Sequence, residues 1–481
     1  MSLLAFQHFY LVGIKGVAMT SLAQCLVDAN KTIHDSDVSE DFVTKKMLQQ
    51  LQEKQPFHID PLTSDLPADT DCLIYTAAHQ GIDQSQVQTA LRAGIPVYSQ
   101  AEALAELFNQ QQGIAVCGVG GKTTVSAMLT WILQKLAPEQ LSYSVGVGEI
   151  LGLPKTGQWQ AEGRYFVAEA DEYVINPHAR EKGEAIVPRF SFLRPHLTIC
   201  NNLRFDHPDV YDDFTHTRTT FLQFFENIQS NGWLLLNGDD QPLAQLGLQL
   251  RLDRPDIQVK TFGQQEGNDF LLKNLRFSAG LSQAELYYGE EDCLLSLAIP
   301  GEFNLRNGAA ALAAAHLLGF SLRDASRALA DFRSTTRRFE LVRETAQQKF
   351  FDDYAHHPSE VAATLQALQA SFPGKQRLIA FQPHTYSRTK LLFEAFVQAF
   401  VENLQADDQL FLLPIFASAR ESDDPSISSD LLVEAIKKRA PECRVRLLPN
   451  LTSLAEELQK ADFSVALTMG AGDIYEVYQL F

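Results

Sequence analysis

The chain has 481 residues, 45% hydrophobic and 21% charged, with Lys+Arg 40 against Asp+Glu 59 and a formal net charge of -19. That length favours about three domains, and the balance of apolar and charged residues excludes a disordered or fibrous chain. The acidic excess argues against a broad nucleic-acid or anionic-membrane surface, so small anionic ligands have to be held by local clusters of donors.

Residues 1–100 alternate short β-rich runs (9–12, 72–75 and 97–98) with stretches of helical period, the signature of parallel βα units. Residues 100–112 read as a helix running into a Gln-rich break, and the apolar strand 114–117 follows, so a domain boundary is expected near 110. The βα rhythm resumes until about 257. There it changes to strands without intervening helices (270–277, 284–288 and 294–299), which suggests an antiparallel excursion. Helical patterns return at 304–318 and 322–332, and a second boundary is expected near 333–340, before another α/β domain. The expected domains are therefore 1–110, 111–334 and 335–481.

The six cysteines, Cys25, Cys72, Cys117, Cys200, Cys293 and Cys443, are scattered, as buried thiols in a reducing compartment are. Neither a signal peptide nor a membrane span is discernible, so a cytoplasmic protein without membrane insertion is expected.

Gly118-Val119-Gly120-Gly121-Lys122-Thr123-Thr124 sits between a strand and a helix pattern. Glycines there let backbone N–H groups face a phosphate, Lys122 reaches the outer phosphates and the Thr123 hydroxyl can join Mg2+. A second loop, Gly13-Ile14-Lys15-Gly16, also follows a strand and precedes Ser36-Asp37. It lacks dinucleotide-site spacing, and a structural turn and a diphosphate cradle are equally good readings. Glu169-Ala170-Asp171-Glu172 ends an apolar strand, where a carboxylate can hold Mg2+ against nucleotide phosphates. Asn201-Asn202-Leu203-Arg204-Phe205-Asp206-His207 ends another. Further on come Phe303-Asn304 with Asn307, Arg337-Arg338, Asp352-Asp353-Tyr354-Ala355-His356-His357-Pro358 and Phe381-Gln382-Pro383-His384-Thr385-Tyr386-Ser387-Arg388-Thr389. Singly these read as caps, surface pairs or turns; their order along the chain does not.

In that order the motifs resemble the Mur ligase family over essentially the whole chain. The Asp-Asp-Tyr and Phe-Gln-Pro-His segments, with Ala417-Ser418-Ala419-Arg420-Glu421 and Met469-Gly470-Ala471-Gly472-Asp473, look like its alanine-adding branch. The resemblance implies an α/β protein with a Rossmann-like N-terminal domain, a P-loop ATPase-like central domain and a Rossmann-like C-terminal ligase domain. It implies ATP-dependent ligation of L-alanine to the lactyl carboxylate of UDP-N-acetylmuramate through an acyl phosphate, in peptidoglycan precursor synthesis, by a monomer or homodimer. By the same resemblance Gly118, Gly120, Gly121, Lys122, Thr123, Thr124, Phe303, Asn304, Asn307, Arg337 and Asp353 bind ATP. Thr123, Glu169 and His207 hold Mg2+; Gly13, Gly16, Ser36 and Asp37 hold the UDP sugar; His356, His384 and Arg388 take the amino acid. Lys122, Glu169, His207 and Arg388 are the expected catalytic residues.

This sequence departs from the family pattern at Val119, Gly120, Phe303 and Ser334, where Thr, His, His and Gly are usual, and over residues 173–189. A ligase that recycles preformed peptide and a nucleotide-binding regulator that has lost catalysis stay open as alternatives. Several family members carry a carbamylated lysine after the Asp-His segment; no Lys occurs here between Lys182 and Lys260.

Overall fold

The computed structural model describes residues 2–40, 42–63, 65–207, 210–278, 281–417 and 424–481. The Ala417-Ser418-Ala419-Arg420-Glu421 motif lies, beyond its first residue, outside the described residues. The chain divides into two compact units, Met1–Asn274 with Ala284–Ser296 and Arg306–Thr335, and Leu275–Gln283 with Leu297–Leu305 and Thr336–Phe481.

The first unit contains a five-stranded parallel sheet of β1 (His8–Val12), β2 (Thr32–Asp37), β3 (Ile59–Pro61), β4 (Cys72–Tyr75) and β5 (Val97–Ser99), in the order β3-β2-β1-β4-β5. Phe9, Tyr10, Leu11 and Val12 are all buried, as expected of a central parallel strand covered on both faces. The strand order reverses at β1, which opens a crevice at the carboxyl ends of β1 and β4.

The same unit holds most of a ten-stranded sheet. Its strands are β6 (Gln112–Cys117), β7 (Leu141–Ser144), β8 (Gly157–Gln158), β9 (Tyr165–Glu169), β10 (Leu197–Cys200), β11 (Trp233–Asn237), β12 (Gln258–Gly263), β13 (Phe270–Ser278), β14 (Leu281–Tyr288) and β15 (Glu291–Leu297). The order is β15-β14-β13-β12-β11-β10-β6-β9-β7-β8. Strand β6 lies between β9 and β10, parallel to both. Helix Lys122–Leu136 follows it and buries Ala127, Met128, Leu129, Ile132 and Leu133, while the Trp131 indole N–H donates to the Ala328 carbonyl at 2.9 Å. Strands β12 to β15 run without intervening helices, as the pattern implies, but β14 and β15 start earlier than their apolar runs. Their burial alternates, so exposed polar residues such as Glu291 and Asp292 belong to the strand.

The second unit is built on β16 (Glu340–Glu344), β17 (Lys349–Asp353), β18 (Arg377–Phe381), β19 (Gln409–Leu412), β20 (Arg444–Leu447) and β21 (Val465–Met469), ordered β16-β17-β21-β18-β19-β20. Only the edge strand β16 is antiparallel to its neighbour; β18 and β21 are buried throughout. The whole is mixed α/β on three sheets. Among the described residues no helix is long and apolar enough to cross a membrane, and all six cysteines are free and buried.

Candidate active site

The loop after β6 has the backbone that its glycines permit. Gly118 and Gly121 take φ of 118° and 85°. A Cβ at Gly118 would lie 2.9 Å from the Asn202 carbonyl oxygen, and one at Gly121 would lie 2.5 Å from the Asn201 amide nitrogen and 2.7 Å from Asn307 Oδ1. Both positions therefore demand glycine. Asn202 clamps the loop reciprocally: Gly120 N–H donates to its Oδ1 at 2.9 Å, and its Nδ2 donates to the Gly120 carbonyl at 2.9 Å. Gly120 lacks a side chain, yet this backbone clamp fixes its peptide. Thr124 is buried within the first turn of the helix.

Lys122 opens that helix and folds back to donate to the Gly118 carbonyl at 2.8 Å and to the Glu172 carboxylate at 2.9 and 3.1 Å. Burial opposes its charge, but Glu172, Asp171 and Glu169 outweigh it and push the ammonium above its ordinary range. The Thr123 hydroxyl donates to Glu169 Oε2 at 2.9 Å, and Gly146 N–H donates to Glu169 Oε1 at 2.7 Å. His207, at φ 58°, sets Nε2 3.6 Å from Glu172 and 3.7 Å from Asp206, with its ring 4.7 Å from that of Tyr173. Asp171 receives Arg189 at 2.8 Å; against burial, which would raise it, Arg189, Lys122 and His207 hold this carboxyl at about 2.

The carboxyl ends of β6, β9 and β10 thus gather Lys122, Thr123, Glu169, Glu172 and Asn202 around one loop. Thr123 and Glu169 offer oxygen donors side by side, the chemistry of a hard cation such as Mg2+. Among the described residues, Glu169, Glu172 and His207 are not grouped as three donors within 4.8 Å of one another. Mg2+ ordinarily completes its shell with phosphate and water rather than with an all-protein cage.

At the end of β1, Gly13 (φ 87°) leaves no room for a Cβ, which would lie 2.4 Å from Thr76 Cγ2. Gly13 N–H donates to the Ser36 carbonyl at 2.8 Å, Gly16 caps helix Val17–Asp28, and the Asp37 carboxylate receives Lys15 N–H at 2.6 Å. The Ser36 hydroxyl donates to Gln86 at 2.7 Å. Hydrogen bonds therefore tie the turn of Gly13 and Gly16 after β1 to Ser36 and Asp37 at the end of β2, although these side chains already serve the loop itself.

Helix Glu302–Leu317 starts in the second unit and continues in the first. Asn304 is buried, its Nδ2 donating to the Pro300 carbonyl at 2.7 Å, and Phe303 packs partly against the C-terminal core. Asn307 accepts from Asn201 Nδ2 at 3.3 Å, beside Gly121. In the second unit Arg337 (φ 60°) donates to Asp352 at 3.0 Å and to the carbonyls of Gly472 and Gly470 at 3.0 and 2.5 Å, with the Tyr475 ring 4.3 Å away. Asp353 accepts Phe339 and Ala355 N–H at 2.7 and 2.8 Å; burial pushes it up to about 6. Both side chains are engaged within their own unit.

The residues expected for the amino acid do meet. His356 and His384 rings are 6.3 Å apart at the carboxyl ends of β17 and β18, and Arg388 Nη1 lies 3.5 Å from His384 Nδ1. Phe416 stacks on His384 at 5.8 Å, and Thr385 adopts φ 68°, a strained turn for a β-branched residue.

Three family models match in chain order: Mur ligase family, catalytic domain, at 8–112; Mur ligase middle domain at 116–315; and Mur ligase, glutamate ligase domain, at 337–472. A relative from Acetivibrio thermocellus named UDP-N-acetylmuramate--L-alanine ligase is 31% identical over 484 aligned residues, covering 99% of this chain and 96% of its own. The chain belongs to the Mur ligase family. Among solved structures, a UDP-N-acetylmuramate-alanine ligase, MurC, from Thermotoga maritima shares the fold at TM-score 0.77 and 22% identity, covering 98% of each chain. A murein peptide ligase from Psychrobacter arcticus shares it at TM-score 0.69 and 21% identity, covering 98% of this chain and 97% of its own.

Two features of this Mur ligase site escape sequence reasoning. The Glu-Ala-Asp-Glu segment offers three carboxylates, and only the fold shows that Glu169 takes Thr123 while Glu172 takes Lys122. The clamp of Asn202 on Gly120 bridges 82 positions; its one sequence signal is two asparagines ending an apolar strand.

Proposed function

We propose that this Mur ligase joins L-alanine to the lactyl carboxylate of UDP-N-acetylmuramate at the expense of ATP, giving ADP and phosphate, as a step of peptidoglycan precursor synthesis. The observation that carries this reading is the end-to-end likeness to a relative named for that reaction. A carboxylate and an amine do not condense in water, so the acid first needs a good leaving group. The carboxylate takes the γ-phosphoryl group of ATP; the amine then attacks the acyl carbon and expels phosphate. Both steps depend on positioning and charge neutralisation more than on covalent help.

In this reading the N–H groups of the 118–121 loop and the helix start receive the phosphates. Lys122 exchanges its bond to Glu172 for the β- and γ-phosphate oxygens. Thr123, Glu169 and His207 would hold Mg2+, which when bound neutralises phosphate charge. The turn of Gly13 and Gly16, with Ser36 and Asp37 at the end of β2, takes the UDP sugar, and Asn304, Asn307, Phe303, Arg337 and Asp353 serve the nucleotide. Arg388 pairs with the alanine carboxylate, with His384 and His356 beside it. The test is a screen of each L-amino acid with UDP-N-acetylmuramate and ATP, following phosphate release. Alanine-dependent release is expected. Release only with a preformed tripeptide would replace this reading with peptide recycling, and none with any acceptor would make the protein a nucleotide-binding regulator.

A further inference from the structure

Away from the phosphate loop, the five-stranded sheet brings two histidines and an aspartate together. In the β1–β2 register His8 lies opposite Thr32 and Tyr10 opposite His34, so His8 and His34 are diagonal neighbours on one face. Asp69 arrives from the segment leading into β4, the other neighbour of β1. That segment is fixed to β1: Asp71 N–H donates to the His8 carbonyl at 2.9 Å, and His8 N–H donates to the Asp71 carboxylate at 3.0 Å. The fold thereby sets Asp69 Oδ2 3.3 Å from His8 Nδ1 and 3.8 Å from His34 Nε2, with all three atoms within 4.8 Å of one another.

Both inward-facing ring nitrogens are shielded from solvent and neither makes a hydrogen bond. A buried imidazole nitrogen without a hydrogen bond is costly, and both nitrogens face the same Asp69 oxygen, at 3.3 and 3.8 Å, without forming one. A cation among the three atoms resolves both points. Tetrahedral bonds of about 2.0–2.1 Å place ligand atoms roughly 3.3 Å apart; the His8–Asp69 edge already has that length, and His34 Nε2 has to close on Asp69 from 3.8 Å. We propose that His8, His34 and Asp69 form a binding site for a divalent transition metal of the zinc class, separate from the Mg2+ of the ligase reaction. Two imidazole nitrogens and one carboxylate select zinc, cobalt or nickel over magnesium. The side chains are 34%, 37% and 55% exposed, so the ion enters from solvent and water completes its shell. The ion staples β2, β1 and the approach to β4.

The experiment uses the full chain stripped of metal, titrated calorimetrically with Zn2+ in excess Mg2+, with Co2+ absorption as a second probe. One equivalent of Zn2+ is expected to bind and raise the melting temperature, and the Co2+ complex should show visible d–d bands. His34→Gln and Asp69→Asn should each weaken Zn2+ by at least the roughly 10–100-fold that loss of an outer-shell partner costs and abolish the Co2+ bands, with phosphate release kcat unchanged. Asp69 is more than half exposed, so Asp69→Asn keeps the test valid if a histidine variant fails to fold. Zn2+ binding of equal strength in wild type and Asp69→Asn, or no Zn2+ stabilisation of the wild type, overturns the proposal.

Discussion

Asp35 on β2 is 1% exposed, and neither of its carboxylate oxygens has a hydrogen-bond partner. Burial, with Asp60 and Asp37 nearby, pushes this carboxyl up to about 8. The folded value lies above the unfolded one near 4, so the fold keeps a proton that the unfolded chain releases. The contribution of Asp35 to stability therefore falls as pH rises from about 4 to about 8. Its strand neighbours are Leu11 and Ile59, an apolar setting that suits a β-branched residue. Asp35→Val is expected to stabilise the protein by about 1–3 kcal/mol, and the gain should grow with pH across that window. Urea unfolding at mildly acid and mildly alkaline pH checks it; a gain that shrinks with pH contradicts the assignment. At Arg388, buried beside His384, truncation should raise KM for L-alanine far more than KM for ATP, because a guanidinium pairs bidentately with a small carboxylate. Steady-state kinetics with each substrate varied shows which, and equal rises would assign Arg388 to the nucleotide or to structure.

The elements after the Asp-His segment carry a prediction from what they lack. Helix Phe214–Glu226 contains no lysine, and none occurs between Lys182 and Lys260, so no carbamylated side chain from that helix can supply a carboxylate near Thr123 and Glu169. A cation that keeps several waters does not need one. Activity is accordingly expected to be unchanged when bicarbonate and CO2 are removed and restored; bicarbonate rescue of depleted enzyme would show that another lysine serves. The same scale shows what the sequence makes legible. The phosphate loop can be read because its chemistry is local, with glycines, a lysine and a threonine in consecutive positions before a helix. The parallel strands can be read because burial on both faces makes them continuously apolar. Strand β16, exposed over Leu341–Glu344, carries no such signal, and the early starts of β14 and β15 are hidden by alternation. The partners of Lys122 and Gly120 lie 50 and 82 positions away, and their pairing is created by the order β10-β6-β9.

At the scale of the whole chain, the Lys122–Glu172 pair couples stability to chemistry, and the two are separable. Glu172 is 1% exposed, and its main cation is Lys122 at 2.9 Å. Removing one partner of a buried pair costs about 3–5 kcal/mol, whereas neutralising both costs far less; His207 at 3.6 Å softens the first figure. Lys122→Ala is therefore expected to lower the melting temperature and abolish ligation, while Lys122→Ala with Glu172→Gln should recover most of the stability and none of the ligation. UDP-N-acetylmuramate is assigned to the turn on the five-stranded sheet, whose bonds at Gly13, Lys15 and Ser36 involve neither residue. Its affinity should survive in the double variant to within a few-fold. Calorimetric titration of the double variant with UDP-N-acetylmuramate, beside its melting curve and its phosphate release, tests all three parts. Sugar-nucleotide affinity lost as completely as activity would place that ligand on the phosphate loop instead, and stability that stays low would mean that Lys122 holds the loop through the Gly118 carbonyl more than through Glu172.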